Sequence, residues 1–236
     1  MYIKVLYDNG AKKGMVSGWG FSCLIDGKYL FDTGEAASSL MENKDRMMVS
    51  ISDLEGIIVS HDHYDHTGGI WEILKRKKGI KVYVCASFSD TFKECVKESG
   101  GELVLVDKPM TITDNIVLTG ELRGTYKGDE IVEQSVIVKG EKGVSVITGC
   151  AHPGIVKILR YVKKIVDTRS FYMVFGGFHL KDVSVDELTK TIEALEKIDI
   201  QKIGPTHCTG EKAKRMIRGR FSGKYIPIKA GHIVQL

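Results

Sequence analysis

Apolar and polar positions along this 236-residue chain switch between two periods, and the switches predict its elements. Alternating or continuously apolar runs of about four to eight residues predict strands, and apolar positions three and four apart predict helices. Strands are expected at residues 2–7, 20–25 and 28–31, and Asp26-Gly27 between the last two is a hairpin pair because both residues tolerate positive φ. A helix over 36–43 follows, and Ser52 stands where an N-cap would precede a strand at 56–60. Beyond it come a helix at 70–77, a strand at 81–85, an amphipathic helix at 88–98 closed by Gly100-Gly101, and a strand at 102–106.

From residue 107 to 133 the pattern loosens. Proline, threonine, glycine and charges interrupt two short strand-like runs, 110–113 and 115–118. A hairpin is expected where 134–139 and 143–148 flank 140–142. Ile155, Ile158, Leu159, Val162 and Val166 mark one apolar face of a helix over 155–166. A strand at 171–175, a helix at 185–197, a strand at 202–204, a basic helix at 211–218 and closing strands at 225–228 and 233–236 complete the chain. Two rounds of strands and helices predict an α/β chain of sheets packed against helices, with two similar halves.

Composition leaves that picture intact and narrows the setting. The hydrophobic fraction of 43% and charged fraction of 27% belong to an ordinary globular protein. The length suits a single domain over 1–236, with one large core or two smaller ones. Residues 107–133, long and irregular, are the natural element to cover a substrate. No run is long enough to span a membrane, and the first residues lead into a strand rather than a signal sequence. Five cysteines, at 23, 85, 95, 150 and 208, are odd in number and lack C-x-x-C spacing. They argue against a disulfide framework and for the reducing cytoplasm. A net charge of +4 admits a small anionic substrate. Without interleaved aromatic and basic residues, nucleic acid is not an expected partner. No oligomeric state is assigned.

The chemistry concentrates in His61-Asp62-His63-Tyr64-Asp65-His66, directly after the apolar run 56–60. The chain has seven histidines, so three within six residues argue against a chance cluster of surface polar groups. Neutral imidazole and carboxylate are the ligands of zinc and neighbouring first-row metals. His61 and His63, two apart on extended backbone, would point the same way. Asp65 and His66, past the start of a turn, would face a second point nearby. Asp32 reads as an acceptor that braces this loop. Cys150 and Cys208 read as small buried residues or as thiols beside the ligands, and His232 matches no ligand pattern. Lys212, Lys214, Arg215, Arg218 and Arg220 make a basic helix face, suited to solvent or to a phosphate.

HxHxDH after a strand resembles the metallo-β-lactamase superfamily. Phe31-Asp32-Thr33-Gly34, Thr148-Gly149-Cys150-Ala151-His152 and Pro205-Thr206-His207-Cys208 are similar to its early turn, third-ligand segment and last-ligand segment, in the same order. The resemblance implies an αββα four-layer sandwich, two mixed β-sheets face to face with helices outside. It implies His61, His63 and His152 on one divalent ion and Asp65, His66 and His207 on a second. In the superfamily an aspartate between the third and last ligand histidines bridges the ions. Here His179, in Gly176-Gly177-Phe178-His179-Leu180, stands in its place. His179 is expected to line the metal site, as a ligand or as a donor to substrate or bound water. A neutral imidazole supplies no bridging charge, so the expected cofactor is one or two divalent ions, zinc first, with iron or manganese as alternatives.

Residues 148–156, 176–180 and 207–213 resemble the branch that includes dihydropterin–ribofuranosylaminobenzene 5′-phosphate synthases and related metal-dependent hydrolases. The ligand pattern implied by the resemblance leads to the expectation of a metal-dependent hydrolase acting on a small anionic or phosphorylated metabolite, with metal-bound water as nucleophile and Asp65 and His179 as catalytic groups. Two alternatives remain: a transferase joining a dihydropterin diphosphate to an arylamine, and a non-catalytic metal- or ligand-binding protein.

Overall fold

The structure is a computed structural model and describes residues 1–236. Its first elements are strands β1 (Tyr2–Tyr7), β2 (Ser22–Ile25) and β3 (Tyr29–Phe31), then helix α1 (Ala37–Arg46). Strand β4 (Gly56–Ile58) leads into the short helix α2 (Tyr64–Thr67) and α3 (Ile70–Arg76); β5 (Lys81–Cys85), α4 (Asp90–Glu98) and β6 (Glu102–Val106) follow. Next come β7 (Met110–Thr113), β8 (Ile116–Leu118), β9 (Leu122–Tyr126), β10 (Asp129–Glu133), β11 (Val136–Gly140) and β12 (Gly143–Thr148). Helix α5 (Ile155–Ile165), β13 (Ser170–Gly177), α6 (Val185–Glu196), β14 (Asp199–Thr206), α7 (Glu211–Arg220) and β15 (Ile233–Gln235) complete the fold.

These elements form two compact units. The first, residues 1–108 and 229–235, holds a seven-stranded mixed sheet in the order β15-β1-β2-β3-β4-β5-β6. β1, β2 and β3 pair antiparallel around the Asp26-Gly27 turn, whose φ values of 50° and 75° explain the residue choice. From β3 to β6 the pairing is parallel, and α1, α3 and α4 lie in the crossovers that parallel neighbours need. β4 is buried throughout, so the loop that follows it grows from a fixed base.

The second unit, residues 109–228 with Leu236, holds a six-stranded sheet in the order β14-β13-β12-β11-β8-β7 and the separate hairpin β9–β10. β12, β13 and β14 are parallel, joined through α5 and α6. Ile155, Ile158, Leu159 and Val162 of α5 are buried and join Leu188, Ile192 and Leu195 of α6 in the core over this sheet. Burial at about 1.5–3 kcal/mol per side chain makes the α5 face a main contributor to this core. Ser184 caps α6 in a capping box with Glu187.

Two expectations are corrected. Ser52 caps nothing: it lies inside a single 3-10 turn, Ile51–Asp53, and its hydroxyl bonds Asp53 and Ser50. Residues 225–228 form no strand; Tyr225 makes one isolated bridge to Ile203, and Pro227 has no N–H to extend a ladder. The expected runs at 110–113 and 115–118 form β7 and β8, which pair within the sheet, and the hairpin β9–β10 follows them. None of the helices is long and apolar enough to cross a membrane.

Candidate metal centre

In the first unit the parallel register of β3 and β4, Phe31 opposite Ile58, brings the segment after each strand together. Asp32 follows β3, fully buried, with a left-handed φ of 55°. Its Oδ1 accepts from Ser60 N at 2.7 Å; its Oδ2 accepts from Ser60 Oγ at 2.7 Å and pairs with His66 Nδ1 at 2.7 Å. Thr33 adds a backbone and a hydroxyl hydrogen bond to the carbonyl of His66. His61, Asp65 and His66 are buried. The ring of His61 lies 4.7 Å from that of His63 and 4.1 Å from that of His66, centroid to centroid. His66 Nε2 is 3.8 Å from Asp65 Oδ2.

This network sets the tautomers. Asp32 as a carboxylate only accepts, so His66 Nδ1 carries the proton on that side and Nε2 holds the lone pair. Ser60 gives its one hydroxyl proton to Asp32, so its oxygen must accept from His61 Nδ1 at 2.8 Å, and the lone pair of His61 is likewise on Nε2. Burial pushes the Asp32 pKa up, while His66 and Ser60 pull it down; the net direction is upward.

In the second unit Thr148 of β12 is level with Gly176 of β13, and Gly176 with Pro205 of β14, so the three strands end together. His152, His179 and His207 follow them, and Ala151, His179 and His207 have left-handed φ values of 63°, 49° and 46°. Such backbone persists where surroundings over-determine it, as at sites that must aim a side chain. The aiming group for His152 is Glu133, at the end of β10 and 1% exposed. Glu133 Oε1 accepts from the backbone N–H of Cys150 at 2.9 Å and Ala151 at 2.8 Å. Its Oε2 accepts from His152 N and pairs with His152 Nδ1, each at 2.8 Å. Burial would raise the Glu133 pKa, but the hydrogen bonds from His152 and Ala151 outweigh it and bring it down to about 2. The proton of His152 therefore sits on Nδ1, and Nε2 carries the lone pair.

The ring of His179 is 4.4 Å from that of His152, and Tyr126 at the end of β9 lies edge-on to both, at 5.7 Å and 5.5 Å. A hydrogen bond with Cys208 holds the His179 pKa above its ordinary value against the pull of burial. Gly124 lets the hairpin approach this loop, because a Cβ there would meet the carbonyl carbon and oxygen of His152 and lie 2.6 Å from Pro153 N.

Each unit thus gathers its own share of the expected residues: His61, His63, Asp65 and His66 in the first, His152 and His179 in the second, with His207 buried in a 3-10 turn after β14. His232 stands apart, its Nδ1 accepting from Lys229 N at 3.0 Å. Sequence reasoning missed Glu133, Ser60 and Tyr126. Ser60 adjoins His61 and was findable as a hydroxyl beside a candidate ligand; Glu133 carries no local signal. The donor set fits a divalent ion. Imidazoles braced through Nδ1 by buried carboxylates present Nε2 in a fixed direction, the arrangement that orients histidine ligands. Nδ1 of His179 is buried and makes no hydrogen bond.

The chain belongs to the metallo-beta-lactamase superfamily, whose family model matches residues 22–207. The fold, two large mixed sheets flanked by helices, is that of this family and implies divalent metal binding. A 7,8-dihydropterin-6-methyl-4-(beta-D-ribofuranosyl)-aminobenzene-5'-phosphate synthase of Methanocaldococcus jannaschii is 30% identical, over 89% of this chain and 85% of that protein. An uncharacterised protein of the same organism is also 30% identical, over 89% of this chain and 91% of its own. A crystal structure described as a metal-dependent hydrolase of the beta-lactamase superfamily superposes with a TM-score of 0.83 at 29% identity, covering 100% of this chain and 99% of that one. The metallo-beta-lactamase fold protein YhfI from Bacillus subtilis shares the fold at a TM-score of 0.69 and 14% identity, over 99% and 98% of the two chains.

Proposed function

We propose that this protein is a metal-dependent hydrolase acting on a small anionic or phosphorylated metabolite. The observation that carries the reading is the bracing of His66 by Asp32 and of His152 by Glu133, which leaves the lone pair of both rings on Nε2, the form in which imidazole binds a metal. On the family pattern His61, His63, Asp65 and His66 of the first unit, and His152 and His207 of the second, would supply ligands to one or two divalent ions, zinc first among the candidates. A bound divalent ion lowers the pKa of its water to about 7 and so supplies hydroxide at neutral pH. Asp65, a buried carboxylate, orients the nucleophile's proton; His179, standing where the family has a bridging aspartate, donates a proton to the leaving oxygen. The hairpin β9–β10 brings Tyr126 beside His152 and His179, where its ring walls off one side of the substrate.

A second reading, a transferase joining a dihydropterin diphosphate to an arylamine, draws support from the 30% identical synthase. One experiment separates the two. Metal-loaded protein is incubated with a dihydropterin diphosphate, with and without an arylamine phosphate. A coupled product supports transfer, and phosphate release independent of the amine supports hydrolysis. His63→Ala should lose both bound metal, measured by elemental analysis, and turnover. A metal-free His63→Ala protein that turns over normally would refute the metal-dependent reading.

A further inference from the structure

The second unit carries another set of donors. Cys150, His179 and Cys208 each lie two residues past the end of one of the adjacent parallel strands β12, β13 and β14. The shared register therefore delivers two thiols and an imidazole to one place, although Cys150 and Cys208 are 58 residues apart. One donor atom of each residue lies within 4.8 Å of the other two. Both cysteines are buried, at 3% and 6% exposure, and none of the five cysteines is in a disulfide. Gly177 keeps the space open, since a Cβ there would lie 2.6 Å from Cys208 Sγ. The three groups already interact with one another, Cys208 with both His179 and Cys150. Cys208 Sγ reaches the carbonyl of Cys150 at 3.5 Å, and Nδ1 of His179 is buried without a hydrogen bond.

We propose that Cys150, His179 and Cys208 form a sulfur-rich site for a borderline-soft divalent cation of the zinc class, with two thiolates, one imidazole and a fourth position open to an exogenous ligand. A tetrahedral ion with metal–sulfur bonds of about 2.3 Å and metal–nitrogen bonds of about 2.0 Å sets its donors roughly 3.5–3.8 Å apart. Donors within 4.8 Å of one another meet that by moving inward by about half an ångström each. Thiolate donors select against magnesium, calcium and manganese, which prefer oxygen. As the two metal–sulfur bonds form, two thiol protons pass to solvent and no oxidation state changes. The site shares His179 with the proposed hydrolase, and its own donors are the two thiols, so a readout of metal–sulfur bonding tests it apart from turnover.

The test is a titration of the full-length protein, stripped of metal and kept reduced and anaerobic, with cadmium alone. A near-ultraviolet thiolate-to-cadmium absorption band should grow and saturate. It should survive in Cys95→Ser and in the His61→Ala/His63→Ala double variant. It should fall by about half in Cys150→Ser and in Cys208→Ser, and vanish when both are replaced. Zinc-edge X-ray absorption on the zinc-loaded wild-type protein, which needs no substitution, should show sulfur in the first coordination shell. Three results overturn the proposal: no band in the reduced wild type, a band that persists without Cys150 and Cys208, or a zinc shell of nitrogen and oxygen only. A Cys150–Cys208 disulfide in the isolated protein that, once reduced, still takes up no cadmium would replace the metal site with a redox pair.

Discussion

Glu133→Gln tests the bracing of His152 most directly. The carboxylate serves four donors, two on each oxygen: the N–H groups of Cys150 and Ala151, and the N–H and Nδ1–H of His152. An amide keeps one oxygen, so one pair of buried donors must face its NH2. If that pair is Cys150 and Ala151, two backbone N–H groups lose their acceptor at about 1–3 kcal/mol each. If it is the His152 pair, Nδ1 escapes by becoming an acceptor, which moves the ring proton to Nε2 and blocks ligation. Either way the variant should lose about 3–5 kcal/mol of stability, as in breaking one side of a buried hydrogen-bonded pair. Metal affinity should fall about 10–100-fold, the usual cost of removing a partner behind a ligating histidine.

The pH dependence follows from the same contacts. Folding lowers the Glu133 pKa from 4.5 to about 2. The stabilisation is therefore complete above pH 4.5 and is lost as pH falls through that interval, by about 3 kcal/mol in all. Wild type should lose stability steeply across this acid range, and Glu133→Gln should lose less. Urea unfolding at several pH values and competition with a chromophoric chelator read both effects. A Glu133→Gln protein with wild-type stability and wild-type metal affinity would refute the reasoning.

Other substitutions probe the supports on either side. Asp32→Ala should destabilise by about 3–5 kcal/mol, because Ser60 N–H and His66 Nδ1–H lose their acceptor in the interior; Asp32→Asn, which suits the left-handed φ and keeps one oxygen, should cost clearly less in urea unfolding. Gly124→Ala should push the hairpin off the His152 backbone and weaken metal binding more than it lowers the melting temperature; unchanged chelator competition would show that the hairpin does not help to hold His152. Ser184→Ala removes the α6 cap far from the site, so thermal unfolding should show a loss of about 1 kcal/mol while metal affinity is unchanged.

The elements most legible in the sequence were those with strong local patterns. The apolar face of α5, the buried run of β4 and the Asp26-Gly27 turn each follow from spacing or from a φ preference, and the structure has them within a residue or two. The hairpin β9–β10 was not legible. Leu-Arg-Gly-Thr-Tyr and Asp-Glu-Ile-Val-Glu are too polar for a strong strand signal, and its turn, Lys127-Gly128, takes φ values of 52° and 94° without the usual asparagine or aspartate. Its pairing depends on packing beneath it, Gly124 against His152, which local pattern does not encode.

By itself the sequence determined the candidate ligands and the order in which they arrive, because His61–His66 is a local motif whose residue types already select the chemistry. Tertiary structure decided which nitrogen His61, His66 and His152 offer and which other groups stand beside them. The acceptor for His66 is 34 residues away at Asp32, and that for His152 is 19 residues away at Glu133. Cys150 and Cys208 meet across 58 residues. Helical and strand periods act over a few residues, whereas these partners are set by which strands are neighbours and by their register, and only the folded sheets fix those.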